Sequence, residues 1–188
     1  LGDTLEKTIK ANPAPIGLIG FGMTTILLNI HNAGFFPLDV VIMAMGITIG
    51  GLAQIIAGIL EYNNNKTFGT VAFVAYGFFW LSLVMIWTLP KMGIGQAPTP
   101  LSLGLYLLLW GLFTLGMFIG TFKSVLVSKM VFGTLFILFM LLATANFTGN
   151  HHIHTIAGYE GILCGALAMY EALAQVINEA HGKKLLPL

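Results

Sequence analysis

Six stretches of this chain are each long and apolar enough to cross a bilayer, and that pattern decides what it can fold into. A spanning helix needs about 20 mostly apolar residues, because the hydrocarbon core is about 30 Å thick. The stretches cover residues 14–32, 39–61, 68–89, 101–122, 128–147 and 156–178, separated by Gly, Pro, Asn and Lys. Only 8% of the residues are charged while 57% are hydrophobic, and the mean hydropathy is +0.90. Soluble domains carry about a quarter charged residues, so so few charges cannot coat a water-facing surface and the apolar faces must meet lipid. Within hydrocarbon each backbone polar group has to be satisfied inside its own span. The expectation is therefore an all-α bundle of six transmembrane helices, one domain over residues 1–188, multi-pass in the cell membrane and surrounded by membrane lipids.

Several classes drop out. A net charge of +1 without a basic cluster leaves no footprint for nucleic acid. Cys164 is the single cysteine, so no internal disulfide can form. Residues 1–12 are polar and lack the apolar run of a cleavable signal, so insertion is expected to rely on the first span. No nucleophile–base pair, metal motif or phosphate loop is visible: an enzyme is not expected, and no cofactor or metal is called for.

All eight basic residues are lysines. With the N-terminus inside, Lys7, Lys10, Lys66, Lys123, Lys129, Lys183 and Lys184 fall on the inner side and Lys91 alone on the outer. The positive-inside rule then places both termini in the cytoplasm. Gly46 with Gly50, Gly116 with Gly120 and Gly161 with Gly165 form small-xxx-small pairs, a spacing that lets helix backbones approach where lipid gives no hydrophobic push.

Polar groups in the spans recur at helical spacing. Thr25, Asn29 and Asn32 share the side of Phe21, Gln54 and Glu61 share a face with Gly58, and Ser128 and Asn146 flank Leu135. Glu160, Glu171 and Asn178 fall within about 20° of one another on the last span. A polar group in hydrocarbon costs several kcal/mol unless partnered, so these stripes turn inward, either as glue between helices or as a hydrated path. Ionisable residues inside spans are functional candidates, which makes Glu61 and Glu171 candidates for a proton relay. No lysine or arginine lies inside a span, so a carboxylate substrate would be held by hydroxyls, amides and helix N-termini or cross as the neutral acid. His31, His151, His152 and His154 map to the outer rim; a transition-metal site and simple solvation in a loop are both open for them, and a haem pair is excluded by their position at the rim.

The segment Asn12-Pro13-Ala14-Pro15-Ile16-Gly17-Leu18 resembles the NPAPxGL signature of the acetate uptake transporter family, which includes bacterial succinate–acetate permeases and fungal acetate and ammonia-export proteins. The likeness continues through Gly20-Phe21-Gly22-Met23-Thr24-Thr25, Gly50-Gly51-Leu52-Ala53-Gln54, Gly58-Ile59-Leu60-Glu61-Tyr62, Tyr76-Gly77 and Gly161-Ile162-Leu163-Cys164-Gly165. Ile16 replaces the Leu usual there, and the His151–His154 cluster is not part of the pattern. The resemblance implies hexamers in which each subunit encloses its own pathway, a hydrophobic constriction on Phe21, Tyr76 and Leu135, and a cytoplasmic mouth near Asn12. Asn12 could cap the helix or donate to an arriving anion.

One feature of the sequence bears independently on that constriction: Phe21, Tyr76 and Leu135 lie seven or eight residues into three parallel spans, at about 10–12 Å depth. The expected function is a channel or transporter for acetate, with succinate or other small carboxylates as further substrates. Thr25, Asn29, Gln54 and Tyr76 are expected to hand the carboxyl group along, and proton coupling is left open. A channel for a small neutral or cationic solute such as ammonium or urea fits the same topology, as does a membrane subunit without transport.

Overall fold

A computed structural model describes residues 11–188. Lys7 and Lys10, used above for orientation, lie outside the described residues. Six helices are long and apolar enough to cross a membrane: α1 (Ala14–Asn32), α2 (Val40–Asn63), α3 (Thr67–Thr88), α4 (Pro100–Gly120), α5 (Leu126–Thr148) and α6 (His151–Ala180). No strand occurs among the described residues.

The ends follow from capping chemistry. Pro15 and Pro100 sit in the first turns of α1 and α4, where a missing N–H costs nothing. The Asp39 carboxylate accepts from the Val41 N–H and starts α2. Gly149, at φ +64°, stops α5, and Asn150 then caps α6 by accepting from the His152 and Ile153 N–H groups. That cap moves the start of α6 five residues upstream of the expected 156, so the tandem histidines occupy a helical first turn and not a loop.

The helices close a ring: α1 packs along α6, α6 on α5, α5 on α4, and α2 bridges α1 and α3. Glycine explains the tightest crossing. A Cβ on Gly22 would meet the Gly165 carbonyl oxygen at 2.7 Å, and one on Gly165 would meet that of Gly22 at 2.7 Å. Bare backbones on both sides gain dispersion contact that lipid cannot supply. Where α3 meets α4 the backbones stand further apart and large rings fill the space: Tyr76 and Phe79 against Trp110, Phe79 stacked on Tyr106, and the Ser82 and Tyr106 hydroxyls bonded at 2.7 Å. The expected pair Gly116–Gly120 serves no such crossing within the subunit, since nothing lies within 4 Å of a Cβ on Gly116.

Between Gly46 and Ala53, α2 widens into a π-helical stretch, which the sequence pattern does not announce. A Cβ on Gly50 would stand only 3.0 Å from Thr24 and Trp80, so glycine gives these side chains their room. The Gln54 side-chain amide donates to the Gly50 carbonyl at 2.6 Å, serving a backbone acceptor in the widened turn.

Candidate functional site: a chamber inside the helix ring

The end of the bundle that carries Asn12, Glu61, Lys66 and Ser124 opens into a cavity of about 410 Å³. Its mouth is polar. Lys66 Nζ stands 3.4 Å from Glu61 Oε1, and Ser128 Oγ donates to Glu171 Oε1. Gln175 lines the wall and accepts from Asn12 Nδ2 at 2.8 Å, while Asn12 Oδ1 takes the Ala14 N–H at 3.2 Å. Asn12 thus shapes the start of α1 and touches the chamber through Gln175.

Going inward, the wall turns apolar and aromatic, with Leu18, Phe73 and Phe132. Phe21, Tyr76 and Leu135 are the last residues of α1, α3 and α5 to line it. They lie seven, nine and nine residues beyond Ala14, Thr67 and Leu126, a common depth to within about 3 Å. The Phe21 and Tyr76 rings are 6.0 Å apart, and the Tyr76 and Phe132 rings 6.2 Å. The Tyr76 hydroxyl is bonded to Thr114 Oγ1 at 2.9 Å.

Gln54 lines the same chamber. Its NH₂ is committed to the Gly50 carbonyl, which fixes the amide orientation and leaves Oε1 buried without a partner. Gln54 therefore offers the unpartnered acceptor Oε1, with the second amide hydrogen beside it.

Past this floor comes a further aromatic layer. Phe79 contacts Phe139, Trp110 and Tyr106 with ring centroids 5.2–5.8 Å apart. These rings lie one turn beyond Tyr76 and Leu135, and their spacing from those residues in the sequence was the signal available for them. Beyond the layer, at the opposite end of the bundle, is a second cavity of about 840 Å³ lined by His31, Asn32, Asn146, His151 and His154 among others. Ser128 and Asn146, expected to flank Leu135, thus line the chamber and the far cavity respectively.

The remaining polar residues are placed as follows. Asn29 is 2% exposed; its Nδ2 donates to the Thr25 carbonyl, and its side chain lies against Gly161 at the α1–α6 crossing. Thr25 Oγ1 is buried without a partner. Neither residue is among those lining the chamber. On α6 the aligned acids part company: Glu171 joins the chamber, Glu160 has both oxygens buried and unpartnered, and Asn178 binds the C-terminal tail at Leu185 and Leu186. Lys66 supplies a cation at the mouth, outside the spans, that the reading of the spans alone did not place.

Gly69 makes room for the mouth acid, since a Cβ there would collide with Glu61 Oε2. Gly69→Ala is expected to cost about 1–3 kcal/mol by overpacking. Adding Glu61→Ala should recover part of that loss, a non-additivity readable from thermal unfolding of the single and double variants. Strict additivity would mean that the two residues do not share this space.

Six membrane-length helices closed around an interior chamber define a multi-span membrane protein with a cavity inside its own bundle. The chain belongs to the GPR1/FUN34/yaaH family, whose profile matches residues 3–184. It is 56% identical over 184 residues to the succinate-acetate/proton symporter SatP of Escherichia coli K12, covering 98% of each chain. It is 38% identical over 179 residues to ammonia transport outward protein 2 of Saccharomyces cerevisiae, covering 91% of this chain and 63% of the yeast protein. A solved structure of the bacterial acetate channel SatP superimposes with a TM-score of 0.95 at 55% identity, covering 96% of this chain and 99% of that one. The family read from the NPAPxGL segment is borne out. The relatives are transporters and channels, not enzymes.

Proposed function

We propose that this chain is a multi-pass cell-membrane transporter or channel that passes acetate, with succinate as a second substrate, through the interior of each subunit. The carrying observation is the chamber itself, polar at its mouth and narrowing onto bulky apolar side chains at one depth. Narrow apolar constrictions hold back water and ions by dewetting. A small acid with a methyl group suits such a ring. Phe21, Tyr76 and Leu135 form the constriction, backed by Phe79 and Phe139.

Acetate crosses with a proton. The partnerless acceptor Gln54 Oε1 suits the O–H of a protonated carboxyl group and would repel a bare carboxylate. Glu61 and Glu171, both at the mouth end, relay that proton there. Residues 1–188 act as one transmembrane domain. The described lysines support a cytoplasmic mouth and cytoplasmic termini: Lys66, Lys123, Lys129, Lys183 and Lys184 lie in segments at the chamber end, and Lys91 lies at the other. Subunits assemble as hexamers, which would cover part of the outward apolar faces, such as Leu101, Leu105, Leu109 and Leu112 on α4.

Reconstituted liposomes test the reading. Labelled acetate should accumulate when the only gradient is an inward one of protons. Acetate flux that ignores the pH gradient would leave a channel without coupling. Flux of ammonium or urea in place of acetate would sink the proposal.

A further inference from the structure

The second cavity carries a chemistry that the pathway described so far does not use. It is a bowl at the end of the bundle away from Lys66, and three imidazoles line it: His31 from the last turn of α1, and His151 and His154 from the first turn of α6. The His151 and His154 rings are stacked at 6.4 Å with planes 10° apart.

Two of the rings are fixed by main-chain carbonyls. His31 Nδ1 lies 2.7 Å from the Phe36 oxygen, and His154 Nδ1 lies 3.3 Å from the Asn32 oxygen. A carbonyl can only accept, so each Nδ1 carries the hydrogen and Nε2 is left to bind a proton. Once protonated, Nε2 becomes a donor.

No carboxylate lines the bowl. The elements around it bring few other charges. Asp39, at the start of α2, spends its side chain on the Val41 N–H. Lys91 lies past the end of α3 and His152 on the first turn of α6, and neither lines the bowl. The lining residues of α4 and α5, Pro100, Leu103, Ala145 and Asn146, are uncharged. Glu160 lies further down α6 with its oxygens buried. Among the described residues no group of three or more His, Cys, Asp or Glu could hold a metal ion.

We propose that this bowl is a recruitment site for small carboxylates, dicarboxylates above all, held by the protonated imidazoles of His31, His151 and His154. The physical reason is mutual. Neighbouring imidazolium charges oppose one another, and an anion between them relieves that opposition. Carboxylate binding and proton uptake therefore favour each other. The carboxylate and the protons needed for a neutral, coupled passage are gathered in one place. The purpose given to the site rests on the transport reading above; the binding itself does not.

Histidine ring resonances of the full-length protein in nanodiscs test binding directly. Adding succinate at about pH 6 should shift the His31, His151 and His154 signals, and at about pH 8 should shift them little. His152 and His181, which do not line the bowl, are internal controls. Shifts that are absent, or equal in the controls, would overturn the site. Ring shifts without any uptake would instead sink the transport reading and leave the site standing.

Uptake kinetics give a second readout. H151Q/H154Q should raise the KM for succinate about three- to tenfold at about pH 6 with the maximal rate kept, as expected of rim charges. H151K/H154K should hold the low KM at about pH 8. A KM whose pH dependence is unchanged in both variants would refute the assignment. His31 is kept in each variant because its bond to Phe36 shapes the α1–α2 connection.

Discussion

Leu135→Ala should open the pathway to acids larger than acetate, such as three-carbon hydroxy acids, raising their uptake relative to acetate by about tenfold or more. Leu135 is 3% exposed and is the last residue of α5 to line the chamber, level with Phe21 and Tyr76. Replacing its isobutyl group by a methyl takes bulk from the proposed constriction without touching the Tyr76–Thr114 bond or the mouth acids. A methylene more or less in an apolar pocket is worth about 1–3 kcal/mol of discrimination, and this change removes three carbons. Competition between labelled acetate and a series of unlabelled acids in liposomes would read the profile. A size profile identical to that of the parent would mean that Leu135 lies off the path. The accompanying loss of packing belongs to stability, and thermal unfolding of the variant separates it from selectivity.

Gly165→Leu is expected to prevent folding altogether. Besides Ile26 Cγ1 at 2.7 Å, a Cβ there would meet the carbonyl oxygen of Gly22 at 2.7 Å and the amide nitrogen of Ile26 at 2.9 Å, both backbone. Neither can turn aside as a side-chain tip would, so α1 and α6 must separate along their length. Overpacking a tight contact costs about 1–3 kcal/mol and occasionally more, and a crossing held mainly by close contact has little reserve to meet it. No monodisperse protein should be recovered in detergent. Gly116→Ala is the matched control, because nothing lies within 4 Å of a Cβ there, and its subunit should fold as the parent does. A folded Gly165→Leu protein with unchanged melting would contradict the close crossing.

The contrast between those two glycines shows what the sequence could and could not say. The spans were legible because lipid imposes a length and a polarity that no local exception escapes; α1 begins and ends where the hydropathy does, at Ala14 and Asn32. The start of α6 was not legible, because Asn150 extends the helix upstream through polar residues that hydropathy scores as loop. Glycine spacing marked faces able to make close contacts, but Gly161 and Gly165 meet α1 while Gly116 meets nothing within the subunit. Which faces pair is a property of the whole ring.

The candidate site divides the same way. Phe21, Tyr76 and Leu135, to which the family resemblance pointed, line one chamber with Gln54, Glu61 and Glu171. Asn29 has the same inward phase, yet sits against Gly161 at a helix crossing. Phase tells inside from outside and cannot tell lumen from seam. Lys66 counted only toward orientation in the sequence, because a lysine in a loop reads as solvated, although the chain folds it back onto Glu61.

The π-helical stretch of α2 has a bearing on how such a chain can change over generations. One helical residue corresponds to about 100° of rotation, so a wide turn acts as a buffer in which the count of residues can vary while what lies on either side keeps its aim. Removing a single residue from 46–53 would return the wide turn to ordinary α-helical winding and leave Ile42 before it, and Gln54 and Glu61 after it, pointing where they do now. The two halves of the helix are in that sense decoupled, and each is free to accept changes of length and composition on its own terms.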